Sequence, residues 1–419
     1  MKRTFSKSVL FVAALAGVTA LTSCEKQENV GINGLSGETT DVTIGVTVKS
    51  GAPTKATADE MNMGATIKDI KNIYVVPRAG TQYASPISIP DITGAGVTDK
   101  SKATNKTTAE VDKNTDAFLV YAGVEHTMNK TFTEAGMTFS LEAETLTDAW
   151  GTTAAKTVYK PYSLFYFGEA TNVNGGNKFQ IGTGTDWETA SWADVADNGT
   201  VAENTLIKVP GVKYAVGALV VGILDGVGDF DLSENNDGSL KWADVKNQVT
   251  VEGLVIDGQP SQLDFEFNRA ASAQDQSVYV AAAANAFQTG ALAFADEGKV
   301  AGANFYSVVA EDGGEGNDVT LQFRFKNNTG ASFYVGPKDD RRLVEDGKYF
   351  YTNAIIRYEA DEQQSDLTTI FKKATTTLVN ASLKDLTKAT TEPEDPTEAT
   401  IGVEIDATWN SGHIYSVDM

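Results

Sequence analysis

The chain of 419 residues carries one cysteine, Cys24, and two histidines, His126 and His413. A lone thiol cannot close an internal disulfide, so in an exported chain it calls for another chemistry, and acylation supplies one. Two histidines, one of them close to the end of the chain, are a poor basis for a Ser/His/Asp arrangement or a multi-histidine metal site. Neither a P-loop nor a dinucleotide fingerprint follows a strand. The 56 acidic residues keep a glycosidase-like carboxylate pair open, but the expectation is no enzyme and no cofactor. The run Asp229-Phe230-Asp231-Leu232-Ser233-Glu234-Asn235-Asn236-Asp237-Gly238 has carboxylates and amides that suit a hard cation. It lacks EF-hand spacing and reads as a solvated hairpin loop, so no metal is expected. The remaining chemistry is proteolytic. Lys49-Ser50-Gly51-Ala52-Pro53-Thr54-Lys55-Ala56 is small, polar and broken by Gly and Pro, which suits cutting after a lysine.

The elements around Cys24 say how it would be used. Lys2, Arg3 and Lys7 precede an apolar run over residues 9–20 that is too short to span a bilayer, the pattern of a cleavable signal peptide over residues 1–23. Leu21-Thr22-Ser23-Cys24 resembles the lipobox of bacterial lipoproteins, in which the thiol is acylated and the cysteine becomes the first residue. Beyond it no hydrophobic stretch of about 18 residues recurs. A net charge of −22, more negative once the signal is gone, repels phosphate backbones and makes nucleic acid an unsuitable partner.

The mature part, roughly 400 residues, is enough for two or three domains, with two the expectation. Short runs rich in Val, Ile, Thr, Tyr and Phe alternate with Gly, Asn and Asp clusters, which predicts an all-β sandwich fold. The main strand candidates are residues 67–76, 117–124, 162–167, 212–224, 249–256, 263–267, 277–282, 319–325, 331–335 and 349–358. Short inserted helices are predicted within 132–150 and 281–294, and residues 367–378 stay ambiguous between helix and strand. The polar stretch 185–204 ahead of a long apolar run places a domain division at about residue 205. This predicts an N-terminal domain over 56–204, a C-terminal domain over 205–389 and an acidic, Pro-containing linker over 390–399.

The two ends of the mature chain match each other. Thr43-Ile44-Gly45-Val46-Thr47-Val48 and Thr400-Ile401-Gly402-Val403-Glu404-Ile405 share four of six residues and keep apolar period two. Either could occupy one half-buried groove with the same face inward. The first copy, with Val42, Ile44, Val46 and Val48 inward, lies in a segment, 24–55, that a cut after Lys55 or Lys49 would release. The second, on the alternation Ile401, Val403, Ile405, Ala407, Trp409, is a strand in a C-terminal extension over 400–419, with Trp409 as an anchor for a pocket in the next subunit. A removable strand and a free strand of one pattern suggest donor-strand exchange. The contact is heterologous, so it propagates as a filament.

With these parts in order the chain resembles the fimbrillin family, lipoprotein precursors of strand-exchange pili in Bacteroidetes. The resemblance rests on the lipobox, the early Val42-to-Val48 strand and its basic segment, and Lys71-Asn72-Ile73-Tyr74-Val75-Val76. Gly347-Lys348-Tyr349-Phe350-Tyr351-Thr352-Asn353, the acidic linker and the Trp409-bearing tail complete it. The resemblance implies two transthyretin-like β-sandwich domains, export as an outer-membrane lipoprotein, removal of the first strand by a trypsin-like protease, and polymerisation with further copies of the chain through the C-terminal strand. It also implies accessory fimbrial subunits as partners and an adhesive ligand on a host or bacterial surface. The family is often cut after arginine. Here no arginine lies between Cys24 and Arg78, so Lys55, and after it Lys49, takes that place. Two other readings use the same fold: a non-polymerising surface lipoprotein that binds glycan or host protein, and an accessory or anchor subunit of a fimbria.

Overall fold

Apolar residues that alternate, or run unbroken for seven to nine positions, leave this chain few ways to bury them other than as strands stacked in layers. The computed structural model describes residues 38–47, 71–91, 104–123, 130–133, 136–144, 158–292, 302–314, 318–357, 369–393 and 413–418. Of two units, 1–30 and 31–419, all of these belong to the second. The protein is all-β in a sandwich-like arrangement of sheets.

The first part is built from β1 (Thr39–Thr47), β2 (Lys71–Ala79), β3 (Thr104–Asp112), β4 (Ala117–Gly123), β5 (Phe165–Thr171), β6 (Gln180–Thr183), β7 (Ser191–Asp194) and β8 (Thr205–Val209). One sheet runs β7-β6-β8-β1-β3, and the facing sheet is centred on β5-β4-β2. Val42, Ile44, Val46, Ile207 and Val209 from the first meet Ile73, Val75, Phe118, Val120 and Tyr166 from the second in one core. Strand β4 is buried at every position. Its other face, Ala117, Leu119 and Tyr121, packs into a larger core shared with the later strands. Burial on both faces is why this strand reads as an unbroken apolar run rather than an alternating one.

The later part contains β9 (Gly217–Asp225), β10 (Val249–Pro260), β11 (Asp275–Ala281), β12 (Phe305–Val309), β13 (Val319–Asn327), β14 (Tyr349–Ile356), β15 (Thr376–Leu383) and β16 (His413–Asp418). They form one sheet that runs β14-β13-β10-β11 before two short strands, and a second ordered β12-β9-β15-β16. Leu219, Val221 and Ile223 of β9 face Leu254, Phe323 and Phe325 across the core.

Four expectations need correction. The strand after residue 205 does not open a second domain: β8 pairs with β1, and Val212 still packs in the first core. The two cores share β4. Among the described residues, the segments expected to hold helices, 132–150 and 281–294, show none. Lys130–Thr133 and Gly136–Ser140 form a hairpin. The backbone N–H groups of Ala283, Gln288 and Leu292 donate to Asn304 O, Ile223 O and Asn380 Oδ1, partners that a helix would have replaced with its own carbonyls. The α-helix among the described residues lies elsewhere, at Trp242–Val245, with Trp242 buried and its Nε1 donating to Asp225 at 2.8 Å. The expected linker begins inside the fold, since Thr390 exchanges both backbone hydrogen bonds with Tyr351, at 2.8 and 3.0 Å. The tail is likewise not free to its end: β16 pairs in parallel with β15, from Thr377 opposite His413 to Ser382 opposite Asp418. The ambiguous 367–378 stretch resolves as strand, with Thr369–Phe371 ahead of β15.

Candidate functional site: the slot of the first strand

Strand β1 is the first described strand of the chain, yet it is not at an edge. It lies between β3, antiparallel over all nine of its residues, and β8, parallel from Val42 opposite Thr205 to Val46 opposite Val209. Both neighbours come from later in the sequence, so the strand fills a slot that the rest of the sheet surrounds. Alternation puts Val42, Ile44 and Val46 into the core at 1%, 0% and 1% exposure. One end of the slot, at the start of β1, is tied by Lys113 N to Glu38 O at 2.9 Å, Asn204 N to Asp41 O at 2.9 Å, and the Lys113–Glu38 ion pair at 3.0 Å.

The outer face of the slot is closed as well. Gly45 points away from the core, and Trp187 lies over it: a Cβ at Gly45 would sit under 3.0 Å from Cη2 and Cζ2 of the indole. Trp187 packs edge-on to Trp192 with ring centroids 4.5 Å apart. Trp192 in turn covers Gly182 of β6, where a Cβ would come within 3.0 Å of its Cζ3. Gly45 is opposite Lys106 on β3 and Lys208 on β8. The ammonium of Lys106 stands 5.9 Å from the Trp187 ring centre and that of Lys208 3.9 Å from the Trp192 ring centre, both within cation–π range. Burial holds the Lys208 ammonium below its ordinary value. One row further along, the hydroxyls of Thr43 and Thr108 approach to 3.4 Å.

Of the residues singled out in the sequence, Val42, Ile44 and Val46 are thus brought together in one core. Cys24, Val48, Lys49, Lys55, Ile401, Val403, Ile405, Ala407 and Trp409 lie outside the described residues. Sequence reasoning missed Trp187 and Trp192, because the polar stretch around them read as a domain boundary. Two tryptophans within six residues of such a stretch were the available signal, since that much apolar surface needs something to cover.

In the acidic run over 229–238, Asp231 and Asp237 turn their carboxylates on nearby backbone. Asp231 accepts from Ser233 N at 2.8 Å, Ser233 Oγ at 2.6 Å and Gly238 N at 2.6 Å, and Asp237 accepts from Ser239 N at 3.0 Å. Arg341 donates to the carbonyls of Asp231 and Ser233 from the other side.

No protein-family model matches the chain, and no curated protein matches it significantly. Among solved structures it is similar to a candidate cell adhesion protein of Bacteroides eggerthii, at 12% identity over 90% of this chain and 98% of that one, with a TM-score of 0.44. It is similar also to a candidate adhesin of Bacteroides ovatus, at 10% identity over 69% of this chain and 72% of that one, TM-score 0.31. A third is a candidate cell adhesion protein of Bacteroides fragilis, at 10% identity over 77% of this chain and 99% of that one, TM-score 0.31.

Proposed function

We propose that the protein is a structural subunit of a cell-surface fimbria, exported as a lipoprotein acylated at Cys24 and matured by a trypsin-like protease. Release of β1 then opens the slot, and the C-terminal strand of another copy fills it. The observation that carries this reading is the position of β1. It is the first described strand of the chain, held between two later strands with three aliphatic side chains in the core, and its pattern recurs at residues 400–405. A strand so placed contributes both core and ladder to the fold, and its loss leaves an apolar trough with two unpaired edges. Such a trough is an acceptor for an extended segment of matching alternation. The lysines at 49 and 55 follow β1 directly, so a cut at either leaves the strand on the released piece.

The test is to treat the purified protein with trypsin, with and without residues 400–419, and examine both by electron microscopy and on a denaturant-resistant gel. Filaments and a ladder from the full chain alone support the reading. Filaments from both would exclude strand exchange by the tail and move the assignment to a surface lipoprotein of another kind.

A further inference from the structure

The cover over the outer face of β1 asks more of an incoming strand than alternating apolar residues. At Gly45 the space that a side chain would need is already taken by the Trp187 indole, which is 6% exposed and braced by Trp192. A strand can therefore enter this slot in only those registers that put a glycine beneath Trp187. The second sheet repeats the device. Strand β9 stands to its sheet as β1 does to the first, parallel to one long neighbour, β15, and antiparallel to the other, β12. Its Gly222, between inward Val221 and Ile223, is covered by Leu292, whose Cγ would lie 2.9 Å from a Cβ there. Leu292 is pinned by its N–H on Asn380 Oδ1 at 2.6 Å. In both sheets, then, the strand in this position reads aliphatic-Gly-aliphatic, and a bulky side chain from outside closes over the glycine.

We infer that Trp187 sets the register of whichever strand occupies the first slot. Its occupant after β1 leaves is the segment 400–405 of a second copy, seated with Gly402 beneath the indole. This rests on the strand-exchange reading above and adds to it the residue pair that fixes alignment. In that register Ile401 and Val403 replace Ile44 and Val46 in the core. Thr400 takes the place of Thr43 opposite Thr108, where the present hydroxyls are 3.4 Å apart. A slip of one residue would turn the apolar set outward. A slip of two would keep it inward but drive Thr400 or Glu404 against Trp187. The glycine thus removes the alternative that alternation alone would allow.

The experiment uses the full chain, trypsin-treated, in three forms: wild type, Gly402→Val, and Gly402→Val combined with Trp187→Ala. Gly402 lies outside β1, so precursor unfolding and the rate of cutting should match wild type in the single variant. Denaturant-resistant multimers should fall roughly tenfold or more, because two bulky side chains cannot share the space. Removing the indole in the double variant should restore the ladder. A parallel arm keeps the test decisive if Trp187→Ala fails to fold. Synthetic peptides of residues 397–409, with glycine or valine at 402, are added to wild-type protein during polymerisation, and only the glycine peptide should shorten the ladder. Equal polymerisation of Gly402→Val, or equal capping by the two peptides, overturns the register role while leaving tail exchange standing. Polymerisation of protein lacking residues 400–419 overturns both.

Discussion

Trp187 stands over Gly45, its indole filling the space that a side chain on the outer face of β1 would need. The strand is therefore gripped from two sides: by the core through Val42, Ile44 and Val46, and by an aromatic cover through a residue with no side chain at all. Hydrophobic burial supplies the strength of the grip and is indifferent to register in steps of two. The glycine beneath the indole supplies the discrimination. Strength and alignment are thus carried by opposite faces of one strand.

If the inner face supplies the strength, substitutions along β1 should alternate in their effect. Ile44→Ala removes a fully buried aliphatic and should destabilise the precursor by about 2–5 kcal/mol. Thr43→Ala loses only a cross-strand hydroxyl contact, worth about 0.2–1 kcal/mol. Urea unfolding of the two variants checks this, and equal losses would contradict the inward placement of Ile44.

A second prediction concerns the polar contact between β9 and the helix. Burial works against ionisation of Asp225, but the hydrogen bonds from Lys246 and Trp242 outweigh it and hold the carboxyl below its ordinary value. The contacts are Lys246 Nζ to Oδ2 at 2.6 Å and Trp242 Nε1 to Oδ1 at 2.8 Å. A carboxylate depressed in the folded state adds stability that is fully present above its unfolded value and is lost as pH falls through its folded value. Asp225→Asn should thus destabilise the protein at pH 7, modestly because Lys246 is partly exposed and screened. The gap from wild type should close as pH drops below the ordinary value of 3.8. A gap that stayed constant from pH 7 to pH 3 would show that the charge on Asp225 contributes nothing.

Export can be tested at one atom. Cys24→Ala removes the only thiol of the chain, so metabolic labelling with palmitate should disappear and an unprocessed or mislocalised precursor should accumulate. Normal membrane attachment of that variant would end the lipoprotein reading.

The inner half of the slot was legible in the sequence, and the outer half was not. Period-two apolar residues in 42–48 placed Val42, Ile44 and Val46 on one face, because alternation is a local property of strands. The run 117–124 was likewise legible as a strand, but its burial on both faces emerges only from the fold. Which strands flank β1, by contrast, is set by pairings such as Ile44 opposite both Thr107 and Ile207, across long separations for which local pattern carries no information. The cover by Trp187 and Trp192 was hidden for a related reason: a polar stretch looks like a linker until the sheet it folds over is known. Among the described residues no helix forms near Phe132 or Ala283 for the same reason, since the backbone N–H groups of Ala283 and Gln288 donate to Asn304, just ahead of β12, and to Ile223 of β9.

The last prediction concerns why a precursor with two strands of one pattern should stay monomeric until it is cut. Each fully buried aliphatic in the slot is worth roughly 1.5–3 kcal/mol, so Val42, Ile44 and Val46 together contribute several kcal/mol, and Ile401 and Val403 offer a similar gain in the same register. The tail of another copy therefore has no large intrinsic advantage over β1. What favours β1 is its covalent link, which gives it an effective concentration in the millimolar range, far above that of a neighbouring subunit in solution. Cutting after Lys49 or Lys55 abolishes that advantage, because a strand that leaves is then diluted. The double variant Lys49→Ala, Lys55→Ala should resist the protease at this segment and remain monomeric by size-exclusion chromatography. Wild type treated in parallel should polymerise over hours, and adding excess peptide of residues 38–48 to it should slow that growth by reoccupying the slot. Filaments from the uncut double variant would mean that release of β1 is not the step that licenses assembly.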